Sequence, residues 1–233
     1  MSRHSGRIAL VSGSGSGIGR AIADRLRDEG ATVVGADILG GDVECDVTSM
    51  DSCHAAVMHV LDAHGRLDVL CNVAGIGIAH PIASFPPADW RRIFEVNLHG
   101  TFQLSQAALP ALVERKGCIV NLASVSALRG SPYNAAYSAS KAAQLSLTRS
   151  MAVELATTGV RVNAVAPSAV DTPFLAGFAL PEEADLNLMA RAAPPMGGLV
   201  DAADVAGAVA YLASDEARSV TGAVLVMDRG ASA

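Results

Sequence analysis

The chain has 233 residues, 51% hydrophobic and 17% charged, so it can form one domain with a sizeable buried core. Its net charge of −6 at pH 7 argues against nucleic-acid binding, which calls for a basic patch. No apolar run reaches the roughly 20 residues of a membrane-spanning helix, and the polar start lacks the apolar stretch of a secretory signal. We therefore expect a cytoplasmic protein without a nucleic-acid or membrane partner. The four cysteines form no CxxC pair and the six histidines lack a matching ligand set, so no metal site is predicted.

Short apolar runs rich in β-branched residues alternate with segments of helical period along the chain. The predicted strands are Arg7–Ser12, Thr32–Asp37, Leu67–Asn72, Cys118–Ala123, Arg161–Ala166 and Ala223–Met227. The predicted helices are Ile18–Glu29, Ser52–His64, Asp89–Arg115, Tyr137–Ala156 and Ala202–Leu212. This alternation is typical of a parallel sheet with helices on both faces. The sequence predicts a single α/β domain over residues 1–233, a Rossmann-like doubly wound fold with about seven parallel strands.

Turn residues support these boundaries. Gly30, Gly65, Gly117 and Gly159 each follow a helical pattern just before a strand, where a left-handed residue commonly ends a helix. Asp201 precedes the last helical pattern and is the kind of residue that caps a helix start.

Two stretches break the alternation. Between Ile38 and Asp46 there is too little chain for a helix, which leaves the adjoining part of any site at this edge more open. Thr172–Val200 is a long connection rich in Pro, Ala and Leu, and such a segment in a compact domain is usually functional. We expect it to form a substrate lid.

A glycine-rich segment, Ser12–Gly19, follows the first predicted strand and opens the first predicted helix. Glycines let the backbone turn sharply and approach a pyrophosphate, which the helix N-terminus attracts. A flexible linker has a similar composition, but the position between strand and helix favours dinucleotide binding. The residues expected to contact the dinucleotide here are Gly13, Ser16, Gly17, Ile18 and Gly19.

Asp37 closes the second predicted strand, where an acid can hydrogen-bond the adenosine ribose hydroxyls. A carboxylate there would repel a 2′-phosphate, and Ile38–Gly41 offers no basic residue. NAD is therefore predicted over NADP. The alternative is an aspartate that only caps the strand end.

Tyr137 and Lys141 lie four residues apart, so on a helix their side chains share a face. A tyrosine has a pKa near 10, and bringing that pKa toward 7 requires about 4 kcal/mol of differential stabilisation. A neighbouring cation acts in this direction, as does the positive nicotinamide of an oxidised cofactor. The pair therefore predicts an acid/base tyrosine, although two surface side chains would show the same spacing.

With these motifs in this order, the sequence resembles the short-chain dehydrogenase/reductase family, in its short single-domain form, from Arg7 to Gly230. Further matches are Asp46-Val47, like the pair that holds the adenine ring, and Asn72-Val73-Ala74-Gly75, like an NNAG motif. The family's catalytic tetrad is matched by Asn97, Ser124, Tyr137 and Lys141.

The resemblance implies a role for each member of the tetrad. Tyr137 would be the general acid/base, and Lys141 would lower its pKa and hydrogen-bond the nicotinamide ribose. Ser124 would position the substrate oxygen, while Asn97 would hold a water that links Lys141 to solvent. Ser124 as a strand end and Asn97 as a helix-breaking contact are the structural alternatives.

The segment after the sixth strand resembles the one that holds the nicotinamide carboxamide, through Pro167, Val170 and Thr172. It departs from the family pattern at Ser168, where Gly is usual, and Arg229 stands where a second Gly is common. At these two positions the resemblance therefore does not predict the backbone conformation.

The predicted activity is an NAD-dependent interconversion of a secondary alcohol and a ketone by hydride transfer. A 3-oxoacyl-thioester reductase is one alternative, although the basic residues such enzymes often use for NADPH are missing from the glycine loop. A non-catalytic dinucleotide-binding protein is another, and fold alone never excludes it. A sugar-nucleotide epimerase is disfavoured because no C-terminal domain remains for the nucleotide-sugar.

The substrate is expected to be a small or medium hydrophobic carbonyl compound or alcohol, because the candidate pocket residues are mostly apolar. These candidates are Ser126, Leu128, Asn134, Ala169, Phe174, Leu175 and the lid residues from Phe178 to Met189, with Arg129 and Arg191 as candidate carboxylate partners. The long helices at Asp89–Arg115 and Tyr137–Ala156 carry apolar residues on more than one face, which suits subunit contacts. The resemblance implies a homotetramer, with a dimer as the alternative.

Overall fold

The computed structural model describes residues 2–190 and 193–233. Within them, seven parallel strands form one sheet in the order β3-β2-β1-β4-β5-β6-β7. The strands are β1 Ile8–Ser12, β2 Thr32–Asp37, β3 Val43–Glu44, β4 Val69–Asn72, β5 Cys118–Leu122, β6 Arg161–Pro167 and β7 Val224–Met227. The predicted doubly wound sheet is confirmed.

Helices cover both faces of this sheet. They are α1 Gly17–Asp28, α2 Met50–His64, α3 Pro87–Phe94, α4 Gly100–Arg115, α5 Ala135–Leu155, α6 Pro173–Ala176, α7 Leu186–Ala190 and α8 Ala202–Ala213. No helix of the described residues is long and apolar enough to cross a membrane.

Strand side chains alternate between two buried layers. Leu10 of β1 packs in the layer that contains Leu104 of α4, whereas Val11 packs in the layer that contains Ile22 of α1 and Val205 of α8. Both faces of the central strands are buried, which is why these strands have continuous apolar sequences rather than alternating ones. The two layers hold the carboxyl ends of the strands in a fixed row.

Three of the four predicted helix-ending glycines are correct, and one is wrong. Gly30, Gly65 and Gly159 have φ of 94°, 70° and 86°. The left-handed residue after α4 is instead Lys116, with φ 51°. Gly117 is needed for another reason, because a Cβ there would lie 2.5 Å from the main-chain oxygen of Asp68.

The start of α8 follows the prediction, since Asp201 Oδ1 accepts a hydrogen bond from Ala203 N at 2.8 Å. The predicted single helix over Asp89–Arg115 is helical throughout but not regular. A π-helical turn, Glu95–His99, separates α3 from α4. A π turn adds a residue without ending the helix, so the apolar pattern does not reveal it.

The two connections that break the strand–helix alternation, Ile38–Asp46 and Thr172–Val200, are a short one without a helix and a long one, as expected. The connection after β2 leads directly to the two-residue strand β3, with no helix between them. The Thr172–Val200 segment carries the short helices α6 and α7, and a bridge between Val170 and Val200 joins its two ends.

Candidate active site

One cavity of about 580 Å³ lies along the carboxyl ends of the strands. It extends from Asp37, which ends β2, to Ser124 after β5 and Pro167 at the end of β6. Parallel strands are about 4.8 Å apart, so the three steps from β2 to β5 span about 14 Å. Such a cavity suits an elongated ligand that crosses several strands.

Most of the residues predicted for the site line this cavity. They are Gly13, Ser16, Gly17, Ile18, Gly19, Asp37, Asp46, Val47, Ala74, Gly75, Ser124, Tyr137, Lys141, Pro167, Val170 and Thr172. The side chains of Asn72 and Asn97 lie beneath it and are described below.

The glycine turn brings main chain against main chain. Gly13 has φ 69°, and a Cβ there would lie 2.8 Å from Ala74 N. Ser16, at the N-terminus of α1, makes no side-chain capping hydrogen bond. First-turn amides of α1 are therefore left for another acceptor at the cavity, and a pyrophosphate supplies one.

Asp37 is held by the main chain around it. Its Oδ2 accepts from Gly15 N at 2.8 Å and its Oδ1 from Leu39 N at 3.0 Å. Sequence reasoning did not single out Gly15, although the alternating Gly/Ser run contained it. These two bonds fix the carboxylate at the cavity wall while its oxygens keep further lone pairs for a ligand hydroxyl.

Arg20 also reaches the glycine turn, because its guanidinium donates to the main-chain oxygen of Gly15. The sequence did not predict this contact, because Arg20 is far from Asp37 along the chain. A cation thus lies at the same loop as the carboxylate.

Beside Asp37, Asp46 and Val47 line the same end of the cavity, with Arg92 of α3. Asp46 Oδ1 accepts from the hydroxyl and the amide of Thr48, at 2.7 and 2.9 Å, and these bonds hold the pKa of Asp46 below its usual value. No sequence signal marked Arg92, because it comes from a helix far along the chain.

Ser124 and Tyr137 meet at the other part of the cavity. Ser124 follows β5, and its Oγ accepts from Ser126 N at 3.2 Å. Burial raises the pKa of Tyr137, and a hydrogen bond between Tyr137 and Ser124 acts in the opposite direction. The two hydroxyls therefore lie together at the cavity wall, one at the end of a strand and one in the first turn of α5.

Lys141 is 3% exposed, and its Nζ lies 5.8 Å from the centroid of the Tyr137 ring. Nζ donates to the main-chain oxygen of Leu122 at 2.6 Å. Burial lowers the pKa of Lys141 to about 7. Burial raises the pKa of Tyr137 in the protein alone, and acidification of Tyr137 by Lys141 together with an oxidised nicotinamide stays a prediction.

Asn97 and Asn72 support the site from below. Asn97, in the π-helical turn, accepts from Ile76 N at 2.8 Å through Oδ1 and donates to Ser140 Oγ at 3.0 Å through Nδ2. Asn72 donates through Nδ2 to Ser105 Oγ and to Asn121 Oδ1, at 2.9 and 2.8 Å. Both amides bind other elements of the protein rather than forming the cavity wall.

Aromatic side chains from the segment after β6 face Tyr137. The centroid of the Phe174 ring lies 5.9 Å from that of Tyr137, and Phe178 stacks on Phe174 at 6.5 Å. The other predicted pocket residues on the cavity wall are Ser126, Asn134, Ala169, Leu175 and Met189. Leu128 is not among them and is 42% exposed.

Within the Thr172–Val200 segment, Phe178 and Met189 line the main cavity, whereas residues 179–183 line a second one together with Gly77–Pro81. Arg129 lines the main cavity and donates to the main-chain oxygen of Ala231 at 2.7 Å. The other predicted cation, Arg191, lies outside the described residues.

The fold and the cavity together define a class, the doubly wound oxidoreductases that bind a nicotinamide dinucleotide. Similarity to known proteins gives the family. A family model described as enoyl-(acyl carrier protein) reductase matches residues 13–232. The chain belongs to the short-chain dehydrogenase/reductase family, as the motifs predicted.

Relatives match nearly the full length of the chain. The cis-4-hydroxycyclohexanecarboxylate dehydrogenase of Sinomonas cyclohexanicum is 40% identical, over 97% of each chain. The 3-oxoacyl-[acyl-carrier-protein] reductase of Thermotoga maritima is 37% identical, over 98% of each. The crystal structure of the Brucella melitensis 3-ketoacyl-(acyl-carrier-protein) reductase with NADH is 33% identical with a TM-score of 0.89, over 98% of this chain and 99% of that one. The protein is accordingly an NAD(P)-dependent oxidoreductase of this family.

Proposed function

We propose that the protein is an NAD-dependent dehydrogenase that interconverts a secondary alcohol and a ketone, with Tyr137 as general acid/base. The observation that carries this proposal is the pairing of the Ser124 and Tyr137 hydroxyls in the cavity whose other end holds Asp37. A substrate oxygen at these hydroxyls would lie where both can hydrogen-bond it.

The chain's own residues handle the proton. In reduction, the phenol of Tyr137 donates its proton to the new alkoxide as the carbonyl carbon receives the hydride. In oxidation, the phenolate form of Tyr137 accepts the proton of the alcohol as the carbinol hydrogen leaves as hydride. Ser124 Oγ donates to the substrate oxygen and stabilises its negative charge. Lys141 supplies a cation beside Tyr137, and the bound dinucleotide supplies the hydride acceptor or donor.

NAD is favoured over NADP by Asp37, because its fixed carboxylate would repel a 2′-phosphate. The Brucella melitensis relative was crystallised with NADH, which agrees with this preference. Because Arg20 binds the main-chain oxygen of Gly15, a cation is present at this loop. The preference for NAD therefore rests on the Asp37 carboxylate and not on a lack of basic residues.

Reduction of a 3-oxoacyl thioester is the second candidate, favoured by the relatives from Thermotoga maritima and Brucella melitensis. The two candidates share Tyr137 and Ser124 and differ in the substrate that the lid admits. The walls formed by Phe174, Phe178 and Met189 favour a small or medium hydrophobic substrate in either case.

A homotetramer is part of the proposal, because apolar side chains are exposed on the long helices and on the edge strand. Phe102 on α4 is 46% exposed and Val153 on α5 is 79% exposed, and Leu225 on β7 is 38% exposed. Two separate apolar faces suit two interfaces, as a tetramer requires, whereas a dimer would cover one of them. Light scattering of the purified protein tests this. A cytoplasmic location stays a prediction.

The proposed activity is tested by mixing the protein with NAD or NADP and a panel of secondary alcohols, in parallel with NADH or NADPH and 3-oxoacyl thioesters. We expect reduced nicotinamide to accumulate with NAD and at least one secondary alcohol. Turnover confined to thioesters would favour the second candidate. Dinucleotide binding without any turnover would favour a non-catalytic role.

A further inference from the structure

Gln144 lies one turn along α5 from Lys141 and contacts it beneath the cavity. Its side chain is 1% exposed. The amide oxygen Oε1 accepts from Lys141 Nζ at 3.3 Å, and the amide nitrogen Nε2 donates to Thr101 Oγ1 at 2.7 Å. A buried carboxamide is thus held at both ends, between α5 and α4.

Thr101 determines which end of the amide faces the lysine. Its hydroxyl donates its own hydrogen to the main-chain oxygen of Asn97, at 2.9 Å. Toward Gln144 the same oxygen can therefore only accept, so the NH₂ end of the amide must face Thr101. Oε1 is left to face Lys141.

The ammonium of Lys141 has three hydrogens to donate. The Leu122 oxygen and Gln144 Oε1 accept two of them, which leaves one for a group in the cavity. The neighbouring groups from other elements are uncharged: Leu122 on β5, Gly75 after β4, and Asn97 and Thr101 on the helical segment that includes α4. Tyr137 is the titratable group that faces Nζ, and within residues 2–190 and 193–233 no carboxylate is paired with it.

We propose that Gln144 is a positioning residue, whose amide oxygen holds the Lys141 ammonium at the cavity wall while Thr101 keeps that oxygen turned toward it. An amide does not gain or lose a proton in the ordinary pH range, so Gln144 passes no proton. It acts by favouring the charged form of Lys141 and by directing its remaining hydrogen into the cavity. The inference rests on the proposed function, because the charge of Lys141 matters for catalysis only if Tyr137 exchanges the substrate proton.

Two substitutions of similar shape separate this role from core filling. Gln144→Met keeps an unbranched buried side chain but removes the acceptor, and Gln144→Glu replaces the acceptor with a carboxylate. Thr148→Val is the matched control, because Thr148 is buried on the next turn of α5 and bonds Asn121 and the main chain of Gln144 rather than Lys141.

The readout is the pKa of Lys141, measured by NMR on folded protein with isotope-labelled lysine. The sequence contains two lysines, Lys116 and Lys141, so each spectrum has two signals, and exposed Lys116 serves as the internal reference. Wild-type Lys141 should titrate near 7. Gln144→Met should lower this pKa by about one unit, since a hydrogen bond to a charged group is lost. Gln144→Glu should raise it by about two units, and Thr148→Val should leave it unchanged.

Shifts in opposite directions support the proposal. An unchanged pKa in both Gln144 variants, or a shift in the same direction in both, would overturn it. If Gln144→Met does not fold, Thr101→Val replaces it, because loss of the Thr101 hydroxyl should also lower the pKa of Lys141. Thr101→Ser keeps the hydroxyl and should keep the wild-type pKa. Equal Lys141 pKa values in the two Thr101 variants would overturn the proposal.

Activity provides the second arm. With NAD and an alcohol, the pH of half-maximal kcat should move in the same direction as the Lys141 pKa, with little change in KM for NAD. Opposite NMR shifts without turnover on any substrate would leave the role of Gln144 standing and count against the proposed function. Turnover together with an unchanged Lys141 pKa in the Gln144 variants would support the proposed function and overturn the role of Gln144.

Discussion

The two parts of the cavity are built by different means. At the cofactor part, main-chain groups dominate: Gly13 lets β1 turn against Ala74, and the amides of Gly15 and Leu39 hold Asp37. At the substrate part, the walls are side chains such as Phe174 and Phe178, which come from the long connection after β6. A wall of main chain leaves a pattern of glycines in the sequence, whereas a wall of side chains depends on how a connection folds back. Tyr137 and Lys141 stand where the two parts meet.

The largest expected effect comes from removing the chemistry at this junction. Tyr137→Phe deletes the hydroxyl that we propose exchanges the proton, and turnover should fall by about 10³-fold. NAD binding, measured by fluorescence titration, should be retained, because the cofactor part is untouched. Tyr211→Phe is the control, since Tyr211 lies on α8 away from the cavity. Wild-type turnover in Tyr137→Phe would contradict the assigned role.

The next effect is on stability, through the buried amine at the junction. The pKa of Lys141 is about 7 in the folded protein, against an ordinary value of 10.5. Below pH 7 both the folded and the unfolded chain carry the charge, so the folded state bears the whole free-energy cost of burying a charged amine. Between pH 7 and 10.5 the unfolded chain binds the extra proton, and rising pH therefore favours folding. Lys141→Met removes this cost and should raise the free energy of unfolding by about 2–4 kcal/mol at pH 6.

Urea unfolding at pH 6 and pH 9 measures this difference, which should shrink by about 2 kcal/mol at the higher pH. Exposed Lys116→Met is the control and should show no such dependence on pH. A gain for Lys141→Met that is equal at both pH values would contradict the buried-amine account.

Asp37→Ala tests the cofactor part alone. Loss of the carboxylate should weaken NAD binding and reduce the preference for NAD over NADP by about 10-fold, measured as a ratio of kcat/KM values. Asp24→Ala removes the same charge from the exposed surface of α1 and should leave the ratio unchanged. An unaltered ratio in Asp37→Ala would mean that the aspartate only caps its strand.

The smallest effect is expected at the substrate part. Phe174→Ala should raise KM for an apolar alcohol by about 10-fold, because an aromatic side chain that lines the cavity is lost, with KM for NAD unchanged. Leu186→Ala is a suitable control, since Leu186 is 70% exposed on α7. A change confined to KM for NAD would break the division of the cavity into two parts.

The division also explains what sequence could predict. The strands, the glycine turn and the spacing of Tyr137 and Lys141 follow from local patterns, whereas Ser124 followed only from the family resemblance. The fold places these residues along one cavity. The π-helical turn at Glu95–His99 was missed because an added residue leaves the apolar period almost intact.

Contacts between distant segments were also beyond the sequence. Arg92 and Arg20 reach the cofactor part from helices, and Thr101 of α4 accepts a hydrogen bond from the Gln144 amide beside Lys141. Leu128 is apolar like most of the other pocket candidates but is exposed to solvent, because the residue type does not determine which way a side chain points in a loop.

The most direct test of the central claim follows the hydrogen itself. A secondary alcohol that the protein accepts is deuterated at the carbinol carbon and incubated with NAD, and the mass of the reduced cofactor is measured. The account predicts a ketone product and reduced NAD that carries the deuterium, with neither formed by Tyr137→Phe. Reduced cofactor without deuterium, or unimpaired transfer in Tyr137→Phe, would contradict it.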